Sequence, residues 1–138
     1  MRIVLDANIL IAALLGSRGK LTILASQNHE FFVPMKIIEE VRKYERLISQ
    51  KAGYTSTEFK ENLNALLYFI KPVEYAEYEK HIREAEKVMK DRDVKDADYI
   101  ACALIMRADF IWTDDKDFTV QRLVVAKTTD EFIEEGKS

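Results

Sequence analysis

The sequence predicts an α/β fold, a parallel sheet with helices on both faces, and three observations predict it. Short runs rich in Ile, Val, Phe and Trp alternate with longer stretches of helical period, the order that βαβ units take. Carboxylates stand directly after two of those runs, at Asp6 and at Asp114-Asp115, where an open parallel sheet has its ligand crevice. One helical stretch, Tyr99 to Met106, is apolar on all sides, as a helix buried within such layers must be.

Taken in order, Ile3-Val4-Leu5 make strand one, over residues 2–5. Asp6 follows at once, and a carboxylate in so apolar a setting is costly unless it is paired or holds a cation. A helix over about 8–15, a turn at Gly16-Ser17-Arg18-Gly19-Lys20 and a second helix from Lys20 to Gln27 come next. The turn lacks the glycine spacing of a P-loop and the Ser or Thr after its Lys, so it carries little weight as a nucleotide site. Phe31-Phe32-Val33 is strand two, and Pro34 opens a long helix, where its missing donor is not needed. Ile37, Val41, Tyr44 and Ile48 share one face of that helix. Glu40 lies about 60° from Ile37 and flanks the apolar stripe, whereas Glu39 points nearly opposite, toward water.

Thr55 and Glu58 have the spacing of a capping box and start a helix to about Leu67. Phe69-Ile70 is a short third strand ahead of Pro72, and a charged helix covers about 75–90. The acidic stretch Asp91 to Asp98 leads into the helix Ala97–Arg107. Phe110-Ile111-Trp112-Thr113 is strand four and Leu123 to Ala126 strand five; Thr128 and Glu131 cap a last helix to about Glu135.

The 138 residues fit one domain, 1–138, with no linker or repeat among them. The run Tyr99 to Met106 falls far short of the ~20 residues of a membrane span, so no membrane association is expected. A signal-like N-terminus is interrupted by Asp6 and Asn8 and reads as strand and helix of the mature fold. The single Cys102 excludes an internal disulfide and fits a reducing, cytoplasmic compartment; in its apolar run it reads as a core thiol. His29 and His81 have no mutual spacing that would make a zinc site or a dyad. The net charge of −3 argues against a strong nucleic-acid binder. It is unevenly spread, +3 over residues 1–60 and −6 over residues 61–138. A basic half suits phosphate, with Arg42, Lys43 and Arg46 available, and an acidic half suits a cation.

Asp6 after strand one, Glu40 in the helix after strand two, Asp96 at the head of a helix and Asp115 after strand four can converge on one sheet edge. Clustered carboxylates repel one another unless protonated or neutralised by a cation. Oxygen ligands without Cys or His favour Mg²⁺ or Mn²⁺, and such an ion serves phosphodiester hydrolysis. Each acid has a plainer reading too. Asp96 could be the third residue of a helix capped by Asp93, Asp115 or Asp117 a helix cap, and Glu40 a surface partner of Arg42 or Lys43.

Leu5-Asp6-Ala7-Asn8, Pro34 through Glu40-Val41, Asp96 through Leu104 and Ile111 through Phe118 resemble, in order and spacing, the four acidic motifs of PIN domains. The resemblance implies a three-layer α/β/α sandwich with a central parallel sheet of four to five strands. It implies a Mg²⁺- or Mn²⁺-dependent endoribonuclease acting on single-stranded RNA, in many members the toxin of a toxin–antitoxin pair of VapC type. Such toxins are commonly homodimers, each held by a small antitoxin. By motif, Asp6, Glu40, Asp96 and Asp115 are the four acids and Asn8 and Thr113 the polar helpers. Asp6 and Asp96 would be the main metal ligands, with Glu40 and Asp115 completing the shell directly or through water. Asp93 and Asp98 crowd the third motif, and Asp114 or Asp117 could replace Asp115, since the doubled Asp leaves the register open. A non-catalytic module binding RNA or protein is the alternative. A receiver-like phosphoacceptor would need adjacent acids near the end of strand one, where Asp6 stands alone.

Overall fold

The structure, a computed structural model, describes residues 1–26, 28–89, 96–115 and 123–136. Five strands form one sheet: β1 (Arg2–Leu5), β2 (Glu30–Pro34), β3 (Ile70–Val73), β4 (Phe110–Trp112) and β5 (Ala126–Lys127). Their order is β3-β2-β1-β4-β5 and every pairing is parallel. β1 is central, and Ile3, Val4 and Leu5 have no exposed surface, which explains a strand without polar alternation.

The helices are α1 (Ala7–Leu14), α2 (Arg18–Ala25), α3 (Met35–Lys43), α4 (Glu45–Ala52), α5 (Ser56–Leu67), α6 (Tyr75–Tyr78), α7 (Ile82–Val88), α8 (Ala97–Met106) and α9 (Thr129–Gly136), with a 3₁₀ turn at Glu79–His81. One layer groups α1 with α2, α3 and α5, and α4 with α5; the other places α8 against β1, β2 and β4, with α6 and α7 packed on it. This is the α/β/α sandwich expected from the sequence. α8 is buried at every position from Ala97 to Ala103, and its Ala and Cys side chains are small enough to bring the helix close to the sheet. Cys102 is fully buried, and burial with the nearby charges of Glu77 and Asp98 pushes its thiol up to about 12. It is a core thiol.

Several boundaries differ from the sequence expectation, each for a local reason. Pro34 ends β2 in an extended conformation, and the helix starts one residue later. The long helix after it breaks at Tyr44, which leaves the helical region and turns outward, 53% exposed, while Ile37, Val41 and Ile48 are buried as expected. Pro72 lies inside β3, an edge strand, where a residue without an N–H is tolerated. The charged helix at 75–90 is three short pieces over residues 75–88. Strand five forms at Ala126–Lys127, not at 123–126. Both capping boxes are made. Thr55 and Glu58 exchange bonds of 2.9 and 3.1 Å, and Thr128 and Glu131 exchange two of 3.2 Å. The end of the second helix at Gln27, the acids Asp91 and Asp93, and Asp117 lie outside the described residues.

Candidate active site at the carboxyl edge of the sheet

From β1 the chain crosses to β2 on one side, while β4 lies on the other, so the carboxyl ends of β1 and β4 form the switch point where open α/β sheets bind ligands. Asp6 follows β1 there and Thr113, Asp114 and Asp115 follow β4. The backbone joins the two ends, Asp6 N–H donating to Trp112 O at 3.2 Å.

Asp6 is the centre of the edge and only 4% exposed. Its Oδ1 accepts the backbone N–H of Asn8 and its Oδ2 the hydroxyl of Thr113. The first bond makes Asp6 the N-cap of α1, a structural role. That role does not call for a charge, since Asn caps as well as Asp. Burial raises the Asp6 pKa above its ordinary value; the bonds from Thr113 and Asn8 oppose this, and the charges of Asp115 and Asp114 add to it. Thr113 links two acids, because its Oγ1 also accepts the Asp115 N–H at 2.9 Å. Asn8 serves Asp6 through its backbone; its side chain is exposed.

Asp96 stands at the N-cap position of α8 with no side-chain capping bond; Asp93, the cap in its plainer reading, lies outside the described residues. Glu40 is half-buried on α3 and Glu39 exposed, as the helical-face reading expects. Among the described residues Glu40 makes no ion pair with Arg42 or Lys43. The charges of Asp6, Asp96 and Glu40 all bear on one group, the Tyr99 hydroxyl, whose pKa is raised chiefly by burial and then by those acids. β1, α3 and α8 thus each bring a carboxylate toward one phenol, and β4 brings Asp115 toward Asp6.

The crowding acids are engaged elsewhere. Asp114 accepts the Thr129 N–H and hydroxyl at 2.8 and 3.0 Å, closing the start of α9, and pairs with Lys20 at 3.6 Å. Asp98 is buried and pairs with Lys36 at 3.5 Å. Of the doubled Asp, then, Asp114 is the one that caps. The sequence reading missed Lys20, Lys36 and Tyr99 as neighbours of this edge. Only Tyr99 carried a signal, as a polar-tipped side chain one turn after Asp96 at the head of an apolar run.

The donor set is all oxygen and suits a hard divalent ion such as Mg²⁺ or Mn²⁺. A carboxylate offers about four lone-pair sites, and the two donors on Asp6 leave it acceptor capacity. Among the described residues, however, no three His, Cys, Asp or Glu side chains stand close enough to hold an ion as they are. The edge carries separate acids and not a closed cage among the described residues. Mg²⁺ tolerates this, since it keeps several waters and is commonly held by one or two carboxylates and substrate phosphates.

The class defined here is a parallel α/β sandwich with carboxylates at its switch point, and the family follows from comparison. The chain belongs to the PIN domain family, whose model matches residues 4–135. A search of curated proteins finds no match. Among solved structures the chain is similar to one in VapBC2 from Rickettsia felis, a complex bound to a DNA fragment from their promoter. The TM-score is 0.72 at 13% identity, over 93% of this chain and 98% of that one. At that identity the likeness speaks to the fold.

Proposed function

We propose that this protein is a Mg²⁺- or Mn²⁺-dependent endoribonuclease that cuts single-stranded RNA, and that it is the toxin of a toxin–antitoxin pair. The observation that carries the proposal is the buried, desolvated Asp6 at the switch point, with Asp115, Asp96 and Glu40 brought toward it or its neighbour Tyr99 from three other elements. A bound divalent ion would supply an activated water and polarise the phosphoryl group. Asp6 and Asp96 are assigned as its principal ligands, with Glu40 and Asp115 completing the shell directly or through water. Thr113 fixes the rotamer of Asp6 and ties it to the Asp115 backbone, and the Asn8 amide fixes its other oxygen. The antitoxin partner, and a homodimeric toxin, are proposed from the family and from the neighbouring VapBC2 complex.

Purified protein incubated with single-stranded RNA should produce fragments with Mn²⁺ and none once chelator is added. RNA bound but left intact would favour a non-catalytic binding module, a reading that the lack of a three-acid cage among the described residues also supports. Within the site, Glu40→Gln should lower cleavage about 10-fold, the size of effect typical of groups that support a metal. Glu39→Gln, on the exposed face, should leave it near wild type. Initial rates of the two variants side by side check this, and the reverse order would overturn the helical-face assignment. Co-purification with the product of an adjacent small reading frame tests the antitoxin.

A further inference from the structure

We infer that Tyr99 is a positioning residue of the acid edge: its hydroxyl ties the helix carrying Asp96 to the backbone at Asp6 and sets the spacing at which those two carboxylates meet a divalent ion. The inference rests on the metal-dependent reading above and adds a residue to that site. Tyr99 lies one turn after Asp96 on α8 and is 5% exposed. Its hydroxyl accepts the Ala7 N–H at 3.0 Å. That amide is the first of α1, immediately after Asp6, and is one of the donors a helix start cannot satisfy from within. The phenol therefore docks α8 onto the start of α1 beside Asp6. Around that tip the charges of Asp6, Asp96 and Glu40 all bear on the phenol. A rigid ring with its body buried and its tip fixed is a spacer among three like charges. Phe in its place would keep the packing and lose the tie.

Isothermal titration of chelator-stripped protein with Mn²⁺ tests this. Tyr99→Phe is expected to bind Mn²⁺ about 10–100-fold more weakly, the loss typical of outer-shell partners, with far-UV circular dichroism and Tm close to wild type. Cleavage should lose kcat with little change in KM for RNA, because the buried Tyr99 does not reach substrate. Ala7→Pro removes the donor and leaves the phenol. Proline is favoured at a first helical position, and Asp6, at φ −86° and ψ 161°, already has the extended conformation required before it. This variant too should bind Mn²⁺ more weakly. Wild-type Mn²⁺ affinity in Tyr99→Phe, with or without a lower Tm, would reduce Tyr99 to packing and overturn the inference. If Tyr99→Phe does not fold, wild-type affinity in Ala7→Pro overturns it. A wild-type protein that binds no Mn²⁺ would remove the functional reading itself, an outcome distinct from one in which only the variants fail to differ.

Discussion

Asp6→Asn is expected to lower metal-dependent RNA cleavage by at least about 100-fold, the upper end of what even outer-shell partners of a metal cost, while stabilising the metal-free protein at neutral pH. Asn can keep the bond from Asn8 and replace the one from Thr113 by a bond of reversed direction. Its Oδ1 accepts the Asn8 N–H and its amide donates to Thr113 Oγ1, so the cap of α1 survives. What it removes is a buried charge beside those of Asp115 and Asp114. Because burial raises the folded-state pKa of Asp6, the folded protein holds that proton more tightly than the unfolded chain does. Its contribution to stability is complete below the unfolded value of about 3.9 and is lost as pH rises through the folded value. The Asn variant has no such loss. In chelator, the Tm difference in its favour should therefore widen as pH rises from about 4 and then level off. Mn²⁺ at about 100 times Kd should add about 2.7 kcal/mol to the wild type and little to the variant. Thermal unfolding from pH 4 to 8 in chelator and in Mn²⁺ reads both effects. Unchanged cleavage, or equal stabilisation of the two proteins by Mn²⁺, would defeat the assignment of Asp6.

Trp112→Ala is expected to cost about 3–5 kcal/mol, a large share of the ~5–15 kcal/mol that holds a domain of this kind together. Trp112 is fully buried. Its ring meets Phe132 edge-on with centroids 5.2 Å apart and lies 6.1 Å from Phe31, and its Nε1–H donates to Thr129 Oγ1 at 2.9 Å. One side chain thus joins β4, β2 and α9 directly behind Thr113 and the acid pair. The truncation leaves a cavity there and loosens the turn that presents Asp115. Trp112→Phe keeps most of the aromatic packing and gives up the hydrogen bond, worth about 0.5–1.5 kcal/mol. Urea denaturation of the three proteins should place it between the others. An alanine variant within about 1 kcal/mol of wild type would show that this corner carries far less of the fold than its burial indicates.

Features that depend on near neighbours were legible in the chain itself. The unbroken apolar run of β1, the apolar stretch Tyr99 to Met106 of α8 and the two Thr–Glu capping boxes are set by residues within a turn of one another, and each forms as read. That Glu40 is more buried than Glu39 follows from helical period alone. Where the expectation failed, a distant contact decided. Nothing local forbids helix through Tyr44, yet the chain bends there so that α4 can pack on α5. Pro72 reads as a stop and is accommodated because β3 happens to be an edge.

The acids divide in the same way. Their chemical type and their place at the ends of elements are written in the chain, and with them the expectation of a hard cation. The doubled Asp could not be resolved from sequence, because Asp114 and Asp115 differ only in what they meet. Asp114 is committed to Thr129, fifteen residues away, and Asp115 is turned toward Thr113 and Asp6. Tyr99 went unseen because its partner, the Ala7 amide, is 92 residues distant.

By itself the sequence determined which segments become strand or helix and which side chains can carry negative charge at their ends. Those follow from steric preference, period and capping, all of short range. Only the tertiary structure decided which charges share a neighbourhood, which are spent on caps and lysines, and how deeply Asp6 is withdrawn from water. Electrostatic energy depends on separation and solvent exposure, and neither is fixed until the sheet closes around the residue.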